Sequence, residues 1–236
     1  MQTSTLRQKI VILTGAGISA ESGLDTFRDK DGLWQKHDAM RLSSIEGFEQ
    51  EPQAVLDFYN ARRKQLLEVE PNAAHKLLAE LERRHDVTII TQNIDNLHER
   101  AGSTHVIHLH GELTKVTSAR DPNDPHCVKE YPLDVPIRLD DKADDGSQLR
   151  PYIVWFGEYV PAIEVAEDYV RQADIFAVIG TSLQVYPAAG LTRYAHGGVP
   201  KFVVDPHMEV IPTGFIHIKD NATSGVAQLV EEIKRL

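Results

Sequence analysis

The sequence predicts an α/β protein with a Rossmann-like, doubly wound parallel sheet and a small inserted lobe. Three observations lead there. Short apolar runs at residues 10–14, 87–91, 106–109, 153–156, 175–179 and 201–204 read as buried strands. Helical segments fall between them, at about 53–68, 73–84, 161–172, 190–195 and 224–235, and strands alternating with helices give a parallel sheet. The first strand also runs directly into Gly15-Ala16-Gly17-x-x-Ala20, the strand–loop–helix signature of dinucleotide sites.

Two stretches interrupt this rhythm. Residues 25–70 follow the glycine loop without a convincing strand, and residues 114–150 are polar and rich in Asp and Pro. Both read as insertions that pack into one small lobe. The Rossmann-like lobe then takes about residues 1–24, 71–113 and 151–236, within a single domain of 236 residues. The run Asp140-Asp141-Lys142-Ala143-Asp144-Asp145 reads as a solvated loop rather than a metal site.

Composition narrows the function. A net charge of −10 argues against nucleic acid as the partner, because phosphate binding needs a basic footprint. An acidic surface attracts cationic segments such as lysine-rich protein, or simply keeps the chain soluble. No apolar run approaches the roughly 18–20 residues that span a bilayer. The polar start of the chain has no apolar signal segment, and Cys127 is its single cysteine, so a reducing cytoplasm is expected.

The chemistry gathers at the ends of the predicted strands. Gly15 suits a tight turn, Gly17 lets backbone N–H groups approach a pyrophosphate, and a helix from about Ile18 aims its positive end there. The same motif also serves as a plain strand-to-helix turn. A dehydrogenase places Asp or Glu at the end of a second strand about 20 residues on. Here that distance brings a polar loop with Phe27, Arg28 and Trp34, which either folds over a cofactor or packs the inserted lobe. Gln92, Asn93, Ile94 and Asp95 follow the second strand, where doubly wound folds bind ligands. His108 and His110 end the third and share one face if the strand continues that far. Either is a candidate general base or a hydrogen-bonded scaffold residue.

Taken in order, Gly15-Ala16-Gly17-Ile18-Ser19, Phe27-Arg28, Gly32-Leu33-Trp34, Thr91-Gln92-Asn93-Ile94-Asp95, His110-Gly111, Trp155-Phe156-Gly157-Glu158 and Gly180-Thr181-Ser182-Leu183 resemble the sirtuin series. The likeness spans about residues 10–225. It implies NAD-dependent removal of acyl groups from protein lysines, with nicotinamide, O-acyl-ADP-ribose and free lysine as products. It makes His110 the general base on a ribose hydroxyl, and has Asn93 and Gln92 hold ribose and an ordered water. Asp95 would bind the nicotinamide carboxamide, and Phe27 would shield the reacting carbon. Gly15, Ala16, Gly17, Gly180, Thr181 and Ser182 would line the phosphates. Asp205 would meet the adenosine ribose, where a carboxylate accepts from a 2′-hydroxyl and repels a 2′-phosphate. Ala20, Arg28, Trp34, Ile94 and Ala222 complete the implied NAD set. Val154, Phe156, Gly157 and Glu158 form the implied edge for an acyl-lysine peptide added as a strand.

Two departures refine the resemblance. Many sirtuins hold a structural zinc with two Cys-x-x-Cys pairs, and neither pair is present. No zinc is therefore expected, and residues 114–150 read as a metal-free replacement. Tyr59-x-x-Arg62 lies on one face of a predicted helix and is similar to the subgroup that removes succinyl and malonyl groups. Arg62 suits a bidentate pair with the distal carboxylate, and the Tyr59 hydroxyl adds a bond. Outside that likeness, Arg62-Arg63-Lys64 reads as a solvated basic face and Tyr59 as core. Three rivals stay in view: a dehydrogenase, an ADP-ribosyl transferase and a non-catalytic nucleotide sensor.

Overall fold

A computed structural model describes residues 7–24 and 39–236. Along the chain come β1 (Lys9–Thr14), α1 (Gly17–Ala20), α2 (Ala39–Leu42), α3 (Ile45–Gln50), α4 (Pro52–Glu68), α5 (Ala73–Leu81), β2 (Asp86–Thr91), α6 (Leu97–Ala101) and β3 (Val106–His108). There follow β4 (Gly111–Ser118), β5 (Lys129–Glu130), β6 (Leu149–Ile153), α7 (Ile163–Arg171), β7 (Ile175–Ile179), a 3₁₀ helix (Ala188–Arg193), β8 (Lys201–Val204), β9 (Ile216–Ile218) and α8 (Ala222–Ile233).

Six strands form a parallel sheet in the order β3-β2-β1-β7-β8-β9. This is the doubly wound order, and its direction reverses between β1 and β7. The continuous apolar runs follow from burial on both faces. Ile10 and Ile12 of β1 join the core beneath α5 and α8, whereas Val11 and Leu13 join the one beneath α7 and the 3₁₀ helix. Register places Thr14 between Thr91 and Ile179, so three polar loops leave the sheet side by side at its carboxyl edge.

A second, antiparallel sheet has the order β5-β4-β6. It packs on α4 through a small core of Leu56, Val116, Cys127, Ile137, Ala143 and Leu149. α4 grips this module with polar groups as well. Asn60 donates to the Ile137 carbonyl at 2.8 Å and accepts its N–H at 2.9 Å. Arg63 is fully buried, donates to the carbonyls of Leu113 and Pro132 at 2.5 Å each, and stacks on Tyr131. Arg63 therefore does not fit the alternative reading of residues 62–64 as a solvated basic face. Its guanidinium supplies the donors that these loop carbonyls need once out of water.

Other differences are local. The strand expected at 153–156 is β6, four residues earlier in start, because the chain turns after Ile153; the Glu158 N–H closes that turn on the Trp155 carbonyl at 3.0 Å. β4 went unforeseen within a polar stretch: a register shift between Glu112 and Val116 breaks its alternation. β9 has three residues, too few to show a period. The helix expected at 190–195 is the tighter 3₁₀ turn. Asp145 of the acidic stretch accepts from Ser118 at 2.7 Å, and among the described residues no cluster of His, Cys, Asp or Glu is arranged to hold a metal. No described helix is long and apolar enough to cross a membrane.

Candidate active site

The loops after β1, β2 and β7 open into one cleft of about 1230 Å³ between the two sheets. That exceeds the roughly 300–1,000 Å³ of common small-molecule sites, leaving room for a dinucleotide and an inserted side chain. Gly15, Ala16, Gly17 and Ala20 line it from the β1 loop and α1, and Gly180, Thr181 and Ser182 from the loop after β7. Gln92, Asn93, Ile94, Asp95 and His110 form its floor; Asp205 and Ala222 stand at one end; Tyr59, Arg62, Val154, Phe156, Gly157 and Glu158 stand at the other. Phe27, Arg28 and Trp34 lie outside the described residues.

The glycines are needed first for the protein's own packing. The Gly17 N–H donates to the Gly180 carbonyl at 2.8 Å, and a Cβ at Gly17 would fall 2.7 Å from the Gly180 Cα. Gly180 has φ +62, and a Cβ there would meet the Ile18 nitrogen at 2.4 Å. The two loops thus cross backbone to backbone. α1 is a single turn, so any anion there is met by local N–H groups far more than by a helix dipole.

Beneath the floor runs a buried polar network. Thr14 donates to Thr91 at 2.9 Å, and Thr91 accepts the Asn93 N–H at 3.0 Å. Asn93 Nδ2 donates to the Gly15 carbonyl and the Ser19 hydroxyl, each at 3.2 Å. Ser19 donates to Asp95 Oδ2 at 3.0 Å, and the Leu97 N–H meets Oδ1 at 3.1 Å. Burial pushes the Asp95 carboxyl upward, opposed by these two donors and by the charge of His108. Burial also pushes His75 down to about 4 and holds His98, which lies 3.1 Å from the Thr14 hydroxyl, well below its ordinary value. His75 belongs to no sequence motif, and His98, at the end of the Thr91–His98 run, carries no role in the sequence reading; only a polar residue at each strand end, such as Thr14, hints at a network there.

His110 stands beyond the end of β3. Its Nδ1 donates to the Gln92 carbonyl at 2.9 Å, which leaves Nε2 as a bare lone pair. Burial lowers its pKa, opposed by that carbonyl, so the ring is neutral near pH 7 and able to take a proton. His108 does not share the cleft: its ring binds Asn93 and Glu99 instead. The strand ends at His108, so the shared face expected of the two histidines does not form.

At the other end Tyr59 is 2% exposed and lies 6.3 Å from the Trp155 ring, with its hydroxyl facing Ser43. The Arg62 guanidinium lies 5.8 Å from the Phe58 ring. Beyond β6 the chain carries Phe156 into a parallel bridge with Ser44 and then turns through residues 157–158. Val154 and Phe156 direct their N–H groups inward, to His110 and Ser43 carbonyls at 2.9 and 2.8 Å. Glu158 takes Arg150 in a two-pronged pair at 2.6 and 3.0 Å and the Trp155 N–H at 2.7 Å, so its carboxylate is committed inside the protein. Asp205 Oδ1 accepts the His207 N–H at 2.8 Å.

Known proteins share this arrangement over almost their whole length. An "NAD-dependent protein deacylase" of Bacteroides thetaiotaomicron is 55% identical over 231 residues, covering 97% of each chain. A Sir2 homologue solved in complex with NAD superposes with a TM-score of 0.85 at 38% identity, covering 97% of this chain and 90% of its own. A Sir2 variant solved with a deacetylated p53 peptide and 3′-O-acetyl ADP-ribose gives 0.77 at 33% identity, covering 96% and 94%. The Sir2 family model matches residues 15–187, from the first glycine of the β1 loop through both sides of the cleft, and the chain belongs to the Sir2 family.

Proposed function

We propose that the protein is an NAD-dependent protein-lysine deacylase that removes acetyl groups and also succinyl and malonyl groups. The observation that carries the reading is the placing of His110: a neutral imidazole with Nδ1 committed to Gln92 and Nε2 turned to the cleft that Asn93 and Asp95 floor. The cleft suits NAD. The crossed glycine loops line one wall with backbone rather than side chains, which lets a pyrophosphate approach closely, and Asp205 keeps one carboxylate oxygen for a ribose. NAD, as co-substrate, supplies the ribose carbon that takes the acyl oxygen once nicotinamide leaves.

The chain's own residues then divide the work. Gly15, Ala16, Gly17, Ala20, Gly180, Thr181, Ser182 and Ala222 hold the phosphates and adenosine side, and Phe27, Arg28 and Trp34 belong to the same NAD-binding set. Gln92, Asn93 and Ile94 orient the ribose, and Asp95 the carboxamide. His110 Nε2 takes the proton of a ribose hydroxyl, its charge then shared with the Gln92 carbonyl. Val154, Phe156, Gly157 and Glu158 shape the wall on which the acyl-lysine peptide lies. Tyr59 and Arg62 meet a distal carboxylate, which loses hydration on entering and needs a positioned cation. A base at His110 favours deacylation over simple ADP-ribosyl transfer, which needs none.

The rest of the reading concerns frame and setting. The chain is one sirtuin-type domain, its Rossmann-like lobe at about 1–24, 71–113 and 151–236 and its small lobe at about 25–70 and 114–150. The small lobe keeps its shape without zinc, supported by its apolar core and by the Asn60 and Arg63 clamps. The setting is the cytoplasm, with acyl-lysine proteins as partners. The test is to incubate the protein with NAD and acetyl-, succinyl- and malonyl-lysine peptides and separate the products. Nicotinamide and O-acyl-ADP-ribose in equal amounts are expected; NADH, label retained on protein, or binding without turnover would each reject the reading.

A further inference from the structure

Two histidines stand two residues apart, His108 at the last position of β3 and His110 beyond it, and their rings face different company. His110 has one acceptor, the Gln92 carbonyl. His108 has two: Nδ1 lies 3.1 Å from the Asn93 carbonyl oxygen, and Nε2 lies 2.8 Å from Glu99 Oε1. A carbonyl and a carboxylate only accept, and a neutral imidazole has a single N–H. A neutral His108 would therefore set a lone pair against one of the two oxygens. Its side chain is 8% exposed, so water has little access to relieve the clash. The doubly protonated ring satisfies both at once.

We propose that Glu99 holds His108 as an imidazolium at neutral pH, and that this cation is a positioning residue: it fixes Asn93 through its main-chain oxygen and stands as a positive charge behind Asp95. The proposal rests on the reading of the Gln92–Asp95 loop as the NAD-contacting floor. Three carboxylates surround the ring, Glu99 from α6, Glu112 from β4 and Asp95 from the loop itself. The other basic neighbours do not compete. Lys115 of β4 is paired with Glu112 at 2.6 Å, and burial together with the charges of His75 and His108 keeps His98 neutral. Burial pulls the His108 pKa down, but the bond and charge of Glu99, the charge of Glu112 and the Asn93 carbonyl outweigh it and raise it above the ordinary histidine value. The same pairing pulls Glu99 down against its own burial.

The sign of the effect follows. With a folded-state pKa above the unfolded one, the contribution of His108 is complete below the ordinary histidine value. It is lost as pH rises through the folded value. The two histidines thus work in opposite charge states at neutral pH, one a fixed cation behind the floor and the other a free base above it.

Two measurements test this. Ring-nitrogen NMR of the ¹⁵N-histidine-labelled protein is expected to show one histidine protonated at both nitrogens at pH 7, absent from the spectrum of His108→Gln. Glu99→Gln is expected to lower that group's midpoint by about one pH unit, the size of a typical charge-partner effect. Calorimetric NAD binding by the parent protein is expected to weaken at alkaline pH, and in Glu99→Gln the weakening begins about one unit earlier. Its kcat at saturating NAD changes far less than its KM for NAD. If Glu99→Gln folds poorly, Glu112→Gln is expected to give a smaller shift in the same direction. A singly protonated His108 at pH 7 overturns the proposal, as does an NAD-binding profile that Glu99→Gln and Glu112→Gln both leave in place. A parent protein that binds NAD but releases no nicotinamide rejects the deacylase reading alone, because neither the spectrum nor the binding profile depends on turnover.

Discussion

Glu158→Gln is the substitution whose cost the structure defines most closely. The Arg150 and Glu158 side chains are 3% and 13% exposed and meet in two short bonds, with the guanidinium 3.3 Å from the centroid of the Trp155 ring. Removing one charge leaves the other buried without compensation, which costs about 3–5 kcal/mol. Glutamine keeps an acceptor for the Trp155 N–H, so the lower part of that range is expected. For a chain of this size each kcal/mol moves Tm by about 2–4 °C, so the midpoint should fall by roughly 6–12 °C. Arg150→Met should cost a similar amount. The double variant should lose less than the sum of the two, because no orphan charge remains. Urea unfolding of the four proteins supplies the cycle. The segment at residues 154–158 loses its clasp in each single variant, so the KM for peptide should rise more than the KM for NAD. Losses below about 1 kcal/mol, or losses that simply add, would refute the argument that this pair is a buried clasp.

Three further outcomes are expected. His110→Ala should cut deacylation by roughly 10²-fold or more while calorimetric NAD binding survives, and near-normal turnover would reject its role as base. Arg62→Met should weaken succinyl-lysine processing by roughly 2–5 kcal/mol, measured as kcat/KM, and acetyl-lysine processing far less; equal losses would make Arg62 structural. Stability should fall on acidification: His75 is buried with its pKa at about 4, so the unfolded chain takes up its proton first. That loss runs from about pH 6.5 down to about pH 4, and reaches roughly 3 kcal/mol, with His98 acting in the same direction. A flat unfolding free energy over that window would contradict it.

Much of this was legible in the sequence, for physical reasons. Strands buried on both faces show as unbroken apolar runs, so β1, β2, β7 and β8 stood out with their ends within a residue or so. The residues that line the cleft sit at those ends, which made Gly15–Gly17, Gln92–Asp95 and Gly180–Ser182 readable as one surface. The small sheet was not legible, because β4 changes register midway and β5 has only two residues. Polar partners were the larger loss. Nothing in the spelling of Arg63 separates a buried guanidinium among carbonyls from a surface cation. Nothing in Glu158 shows that its partner lies eight residues upstream, and the different surroundings of His108 and His110 emerge only when β3 stops between them.

The helix α4 serves both lobes at once. Its 17 residues form a rod about 25 Å long that presents Asn60 and Arg63 to the antiparallel module and Tyr59 and Arg62 to the cleft. Adjacent residues differ by about 100° around the axis, so the two pairs are neighbouring teeth on one gear. A roll of about 10° carries a side-chain tip, some 6 Å from the axis, through about 1 Å, and an offset of that size is enough to spoil a reacting geometry. The module that grips one pair of teeth therefore gauges the depth of the chamber the other pair faces.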